Sequence, residues 1–257
     1  MPNLNELTFW MPWAIGAGLN GVLLAPLLVG PPKLLTRAGV FHAWILGVLL
    51  WGTLGWRGYL VVVVYFLLGS GVTRIGLADK EAAGIAEARS GARGPENVWG
   101  SAFTGSLCAL GAWGFTHPEV QALFQLAFVA SFATKLADTV SSEIGKAYGR
   151  RTFLITTLQP VPRGTEGAVS LEGTLAGLGG AVVQALVGWA VGLISPLAIP
   201  LCVFAAFIAT NVESVIGATL QTRIAWLTNS LVNVINTLIG ASLAAAGRIL
   251  LQGLWPF

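Results

Sequence analysis

The sequence predicts an all-α membrane protein, a polytopic bundle of about seven or eight transmembrane helices of roughly 20 residues each. Hydrophobic residues make up 55% of the 257-residue chain and charged residues only 10%, whereas soluble domains carry roughly 25% charged residues. The apolar residues form continuous runs, whereas the strands of a transmembrane barrel alternate. This composition excludes a soluble globular enzyme, a disordered chain and a disulfide-rich secreted domain. We therefore treat residues 1–257 as a single membrane-embedded domain.

Each predicted helix corresponds to one apolar run. The runs lie at 10–29, 39–55, 58–73, 99–115, 120–137, 173–194, 197–216 and 225–250. Turn signals separate several of them, namely Gly30-Pro31-Pro32, Trp56-Arg57-Gly58, His117-Pro118 and Ser195-Pro196. Residues 1–8 contain no Lys or Arg, so we expect the first run to be a span and not a signal peptide. The third run is short and glycine-rich, which would also suit a broken or tilted helix.

The basic residues predict the orientation of the bundle. With the N-terminus outside, 12 of the 14 Lys and Arg residues lie on the inner side, and only Arg57 and Arg248 lie outside. Cytoplasmic loops are enriched in Lys and Arg, so we expect two long cytoplasmic loops, at about 74–98 and 138–172. Tryptophans near the ends of runs fit an interfacial belt; they are Trp10, Trp13, Trp56, Trp99, Trp113, Trp226 and Trp255.

This one-sided charge distribution bears on function. In a soluble protein a net charge of +3 would suggest a nucleic-acid partner, but here membrane orientation accounts for it, and we expect no nucleic-acid partner. A transporter usually needs polar features that reach both sides, so the asymmetry favours an enzyme that acts at one leaflet. The two histidines, His42 and His117, allow neither a His/Cys metal site nor a Ser-His-Asp triad on the inner side.

The densest polar segment runs from Lys135 to Lys146. On a continuous helix Lys135, Asp138 and Ser142 share one face, while Glu143 points about 140° away from Asp138. Either the two carboxylates have different neighbours, or the helix breaks here. Carboxylates and hydroxyls flanked by lysines suit Mg²⁺ with phosphate, so we assign Asp138 and Glu143 to Mg²⁺ or phosphate groups, with Ser141 and Ser142 beside them. Lys135 and Lys146 would neutralise phosphate charge; a plain helix-end pair between Glu143 and Lys146 is the alternative.

A glycine-rich loop precedes the sixth run. Glycines allow backbone N–H groups to curl around an anion, and the following helix N-terminus adds a positive dipole end. We predict that this loop binds one phosphate group through Arg163, Gly164, Thr165, Gly167, Ser170, Glu172, Gly173 and Thr174. It is not a Walker A sequence. The alternative is structural, with Ser170 as an N-cap and Gly173 aiding close packing.

Other polar positions complete the candidate site. Lys80 and Arg93, in the first long loop, would form a lid or hold the phosphate of the acceptor, although such a mixed-charge loop is also typical of a solvated amphipathic segment. Asn229 and Asn233 begin a stripe in the last span that suits either ligand contact or packing between helices. Glu213-Ser214 repeats the carboxylate–hydroxyl ending Asp138-Thr139, which hints at an internal repeat and makes Glu213 a further metal candidate.

These segments together resemble a known family. The pattern comprises Lys80, Gly84-Ile85-Ala86-Glu87, Gly91-Ala92-Arg93-Gly94 and Asn97-Val98; Asp138-Thr139 and Ser142-Glu143-Ile144-Gly145; Gly164-Thr165, Gly167, Val169-Ser170 and Glu172-Gly173; Glu213-Ser214, Gly217-Ala218 and Gln221; and Val232-Asn233. It covers about 74–240 and resembles the integral-membrane family that includes the plant and cyanobacterial phytyl-phosphate kinases of tocopherol synthesis. One departure is Glu213, where the family pattern leads us to expect an aspartate.

The resemblance implies a kinase that prefers CTP to other nucleoside triphosphates and converts phytyl phosphate, an isoprenyl phosphate lipid, to phytyl diphosphate with Mg²⁺. More distantly the chain is similar to the CTP-dependent polyprenol and phytol kinases. The resemblance adds Asn97 to the residues expected near the acceptor phosphate, and it implies a bacterial inner or thylakoid-type membrane with the active site facing the cytoplasm. Three alternatives stay open: a lipid-phosphate cytidylyltransferase, a transporter or flippase for an anionic lipid, and a purely structural membrane scaffold.

Overall fold

The computed structural model describes residues 4–30, 33–221 and 223–251, and it confirms a polytopic helical membrane protein. The helices are α1 (Leu4–Leu24), α2 (Pro26–Val29), α3 (Arg37–Thr73), α4 (Leu77–Ala82), α5 (Pro95–Gly114), α6 (Pro118–Tyr148), α7 (Leu171–Ala190), α8 (Ala198–Ile216) and α9 (Asn229–Leu251). Six segments of the described chain are helical and both long and apolar enough to cross a membrane. Pro31, Pro32 and Trp255, which figured in the turn and interface predictions, lie outside the described residues.

Helix α3 is a hairpin of two antiparallel arms, residues 37–54 and 56–73. Gly55 breaks the helix with φ +64° and ψ −155°, a conformation that favours glycine. Trp51 and Tyr59, on either side of the break, bring their ring centroids to 5.4 Å. At the open end Arg74 Nη2 donates to the carbonyl of Lys33 at 2.9 Å. The runs 39–55 and 58–73 therefore form one arm each, and the reversal lies one residue before the predicted turn.

Helix α6 forms the centre of the bundle. Every residue from Leu126 to Asp138 is buried, because α5, α7, α8 and α9 all pack around it. Glycines of α7 permit the closest approach: a Cβ on Gly177 would lie 2.8 Å from the carbonyl oxygen of Ala137, and one on Gly188 would lie 2.5 Å from Val129 Cγ1. Small residues at helix contacts are a common way to pack helices within lipid.

The two long loops lie at the same end of the bundle. Gly164 in the second loop approaches the side chain of Ile85 in the first so closely that a Cβ would lie 2.6 Å from Ile85 Cγ2. The second loop also contains an antiparallel pair of short strands, β1 (Thr152–Leu154) and β2 (Ala168–Ser170). Sequence analysis did not predict them, since three residues are too few to show an alternating pattern. At the opposite end lie the turns at Gly55 and at 115–117 and 191–197.

The tryptophans divide into two groups. Trp10, Trp56, Trp113 and Trp226 are exposed on the outer surface of the bundle, as expected for side chains at a membrane interface. Trp99 is instead partly buried, and its indole N–H donates to His42 Nδ1 at 2.9 Å. Trp99 thus joins α5 to the first arm of α3.

Candidate active site

A polar cavity of about 440 Å³ lies at the end of the bundle that carries the two long loops. This volume is within the roughly 300–1,000 Å³ of small-molecule sites. Its walls come from the ends of α3, α5, α6, α8 and α9 and from both loops. Fifteen of the predicted site residues line it: Arg93, Asn97, Lys135, Asp138, Ser141, Ser142, Glu143, Lys146, Gly164, Thr165, Gly167, Ser170, Glu213, Asn229 and Asn233.

The centre of the cavity is a carboxylate pair. Asp138, at 7% exposure, and Glu213 lie close enough to share a hydrogen bond. Lys135 Nζ pairs with the Asp138 carboxylate and also donates to Asn233 Oδ1 at 2.7 Å. The two carboxylate–hydroxyl pairs noticed in the sequence therefore meet, because α6 and α8 lie side by side with Asp138 and Glu213 at the same level, although α6 continues beyond this point to Tyr148.

Glu143 belongs to a different cluster. Because α6 is continuous to Tyr148, Glu143 points away from Asp138 toward its own neighbours, as its five-residue spacing requires. Its carboxylate pairs with Lys80, and its other oxygen lies 3.8 Å from Lys146 Nζ. Lys146 Nζ also lies 4.0 Å from Glu87. Asp138, Glu143 and Glu213 thus do not form one three-carboxylate metal site.

The donor set suits a cation that arrives with a phosphate ligand. Within the described ranges no group of three or more His, Cys, Asp or Glu side chains is arranged to hold a metal ion alone. Mg²⁺ usually takes one or two protein carboxylates and completes its shell with water and substrate phosphates. The paired oxygens of Asp138 and Glu213, facing the cavity, fit that requirement.

Five predicted residues lie outside the lining. Lys80 is 1% exposed, and its Nζ donates to the carbonyl of Thr73 at 2.8 Å, so it holds α4 against α6. Arg163 Nη1 donates to the carbonyl of Ala147 at 3.0 Å. Gly173 packs against α6, since a Cβ there would lie 2.6 Å from Ser141 O. Glu172 lies in the first turn of α7, and Thr174 lines a small separate void between α6, α7 and α8.

The second loop closes the cavity through its glycines. Gly164 and Gly167 have φ values of +83° and +74°, and a Cβ on Gly167 would lie 2.5 Å from the carbonyl oxygen of Ser214. Ser170 lines the cavity and also caps α7, accepting from the Gly173 N–H at 3.1 Å. The N-terminus of α7 therefore faces the cavity with its positive dipole end. Opposite it, α8 ends in a π-helical turn, Gly217–Gln221.

Sequence reasoning missed several lining residues. Tyr65 lies inside an apolar run, and its hydroxyl accepts a hydrogen bond from Arg93 Nη1 at 2.8 Å. Glu166 is in the glycine-rich loop yet was not selected as a candidate. Hydroxyl residues of the surrounding helices also contribute: Thr73, Ser101, Thr139, Thr210 and Ser214. For the residues that lie in the helices, the signal in the sequence was a polar side chain within an apolar span, as at Tyr65.

Arg89 braces the first loop where it enters α5. Its guanidinium pairs with Glu96 and donates to Asn97 Oδ1 at 2.9 Å. The hydrogen bond from Arg89 lowers the pKa of the Glu96 carboxyl below its ordinary value. Asn97 Oδ1 also accepts from the Gly94 N–H at 2.9 Å, so Asn97 is held at the cavity wall.

The charges around the cavity are unequal. Five carboxylates line it, from Glu87, Asp138, Glu143, Glu166 and Glu213, against three cations, from Arg93, Lys135 and Lys146. An anionic ligand would meet net repulsion there unless a cation accompanied it. The cavity therefore suits a metal–phosphate complex better than a bare anion.

Comparison with known proteins places this chain in a family of integral membrane proteins. Residues 21–241 match the family described as integral membrane protein DUF92. An uncharacterised membrane protein of the cyanobacterium Synechocystis is 62% identical over 91% of this chain and 90% of its own length. The chloroplast protein VTE6 of Arabidopsis thaliana is 48% identical over 87% of this chain and 67% of its own. An uncharacterised membrane protein of Methanocaldococcus jannaschii is 32% identical over 85% and 88%. No solved structure matches.

Proposed function

This chain belongs to the DUF92 family of integral membrane proteins, and we propose that it is a prenyl-phosphate kinase that converts phytyl phosphate to phytyl diphosphate. The observation that carries the proposal is the cavity itself, where two adjacent carboxylates, cationic side chains and a glycine-rich loop meet at one end of a helical bundle. The 48% identity to VTE6 and the motifs shared with the phytyl-phosphate kinases support the same activity.

The donor is a nucleoside triphosphate, preferentially CTP. Lys135 and Lys146 lie where they can neutralise its phosphates, and the backbone of the glycine-rich loop at 163–170 surrounds one phosphate group. Asp138 and Glu213 hold Mg²⁺ together with those phosphates. The bound ion supplies charge neutralisation of the transferring phosphoryl group.

The acceptor phosphate binds on the other side of the cavity. Arg93, supported by Tyr65 and Asn97, receives it and orients one of its oxygens toward the donor. An isoprenyl monophosphate already presents an ionised oxygen, so the transfer needs no strong general base. The residues of the site therefore act by positioning and by charge, as is usual for phosphoryl transfer.

The cavity opens to the cytoplasmic side. The orientation that places 12 of the 14 basic residues inside also places both long loops there, in agreement with the usual Lys and Arg bias. The cyanobacterial and chloroplast relatives suggest a thylakoid-type membrane. Soluble nucleotides then reach the cavity from water, and the lipid reaches it from the bilayer.

The decisive experiment identifies products. Purified protein is incubated with phytyl, geranylgeranyl or farnesyl monophosphate, Mg²⁺ and each nucleoside triphosphate in turn, and the products are identified by mass spectrometry. The proposal requires a prenyl diphosphate and a nucleoside diphosphate. Release of pyrophosphate with a CDP-linked lipid would instead establish a cytidylyltransferase. Movement of the lipid across proteoliposomes without nucleotide would establish a transporter.

A further inference from the structure

An apolar groove adjoins the polar cavity, between α1, both arms of α3 and the beginning of α5. It encloses about 100 Å³. Nine apolar residues line it: Leu24, Leu35, Ala43, Leu46, Val62, Val63, Phe66, Val98 and Ala102. Its far end is closed by Asn20 and Tyr59, where the Tyr59 hydroxyl donates to Asn20 Oδ1 at 3.0 Å. The groove is therefore a narrow hydrophobic space with a polar boundary.

The groove and the cavity share one wall. Tyr65, Arg93, Asn97 and Ser101 line both. The Arg93 guanidinium lies over the rings of Tyr65 and Phe66, 5.3 and 5.7 Å from their centroids. In the part of the chain that the structure describes, Arg93 forms no ion pair with a carboxylate. The junction thus presents a cation with no carboxylate partner among the described residues, with the polar cavity on one side and the apolar groove on the other.

We propose that this groove holds the isoprenoid tail of the acceptor lipid while Arg93 holds its phosphate. The inference rests on the proposed function, because it names where that acceptor binds. A prenyl monophosphate has a compact anionic head directly attached to a branched apolar tail, which matches the sharp change from Arg93 to the groove. Charge complementarity at Arg93 and hydrophobic burial beyond it both favour this occupant.

The groove accommodates only the part of the tail nearest the phosphate. From Tyr59 to Phe66 the second arm of α3 rises about 10 Å, which is shorter than an extended phytyl chain. Leu24, Val63 and Phe66 are partly exposed, so the groove also opens on the lipid-facing surface, and the rest of the tail continues into the bilayer. Longer prenyl chains therefore bind as well as phytyl, whereas very short ones lose the groove contacts.

A matched pair of substitutions tests this arrangement. Ala43→Phe fills the groove, whereas Ala38→Phe adds the same side chain at an exposed position five residues earlier on the same arm, outside both spaces. Ala43→Phe should raise KM for phytyl monophosphate on the order of tenfold, the effect of losing about two buried methylenes. It should change the turnover of dimethylallyl monophosphate far less, and Ala38→Phe should change neither. Equal losses for long and short acceptors, or no loss at all, would overturn the assignment.

A second measurement does not depend on turnover or on the folding of a variant. A phytyl monophosphate analogue with a diazirine in its first isoprene units is photo-crosslinked to the wild-type protein, and the labelled peptides are mapped. Labelling of α1, α3 or α5 at groove residues, competed by phytyl monophosphate, supports the groove even if no kinase activity is found, in which case only the proposed function fails. Kinase activity accompanied by labelling elsewhere refutes the groove and leaves the proposed function intact.

Discussion

Replacing Gly69 with alanine should displace Arg93 without changing any ionisable group. Gly69 lies in the second arm of α3, where an added Cβ would come within 2.7 Å of Arg93 Nη2. Carbon–heavy-atom contacts are comfortable at about 3.5–4.0 Å, so the guanidinium must retreat by on the order of 1 Å. Because the end of an arginine side chain is flexible, the helix itself need not move.

The expected result is a catalytic defect in a stable protein. A misplacement of about 1 Å can cost a positioned group up to 10²-fold, so kcat/KM for the prenyl phosphate should fall about 10- to 100-fold. Replacing glycine by alanine in a helix favours folding by about 1 kcal/mol, so the melting temperature should not fall. Steady-state kinetics and thermal unfolding in detergent measure the two effects.

Two other glycines of α3 provide the controls. At Gly71 an added Cβ has nothing within 4 Å, so Gly71→Ala should leave the kinetics unchanged. At Gly39 the Cβ would lie 2.3 Å from the backbone oxygen of Arg93, which also accepts from the Thr36 N–H at 3.0 Å. Gly39→Ala should therefore destabilise the protein. Wild-type kinetics in Gly69→Ala, with Arg93 displaced, would refute the role of Arg93 in holding the acceptor.

Three further predictions concern the charges and the second loop. Lys80→Met should destabilise the protein by up to about 3–5 kcal/mol, because the buried Glu143 carboxylate loses its direct partner and keeps only the contact with Lys146 at 3.8 Å. Lys80→Met with Glu143→Leu should recover most of the loss in thermal unfolding, and no recovery would show that the pair is not the cause. Asp138→Asn should abolish phosphoryl transfer while the protein still elutes as a folded species in detergent; near-normal activity would contradict its metal role. Gly167→Ala should reduce activity strongly, since its φ of +74° and its approach to Ser214 exclude a side chain; unchanged nucleotide affinity, measured by calorimetry, would contradict the loop assignment.

The helices could be predicted because a helix that crosses a bilayer needs roughly 20 mostly apolar residues in succession. Each run long enough to cross a bilayer appears as a helix, and even the reversal within α3 was expected within one residue of Gly55. Most of the residues that line the cavity could also be located from the sequence, since charged residues are costly in hydrocarbon and their few positions are informative. What the sequence could not show was which side chains from different helices and loops contact one another.

Lys80 and Tyr65 illustrate that limit. Lys80 was expected to form a lid or to hold the acceptor phosphate, but the fold buries it against Glu143, a residue 63 positions away in sequence. Tyr65 was read as part of an apolar run, and its role at the cavity depends on Arg93 in a loop that folds back over α3. Asn236 is a third case: it continues the stripe that Asn229 and Asn233 begin, but its side chain is fully buried and has no hydrogen-bond partner among the described residues.

The ion pair between Lys80 and Glu143 and the charged cluster at Asp138 differ in whether positive and negative charges are equal in number. Lys80 and Glu143 form an ion pair in which both side chains are buried. Each charge in the low-dielectric interior therefore has a partner of opposite sign. Asp138 and Glu213 instead place two carboxylates in the wall of the cavity, with Lys135 as the cation that pairs directly with Asp138. Packing of α6 against α8 does not require a second carboxylate at this position, since apolar residues would pack there without the cost of burying a charge. Under the proposed function, a divalent cation held together with the donor phosphates would offset the repulsion between the two carboxylates.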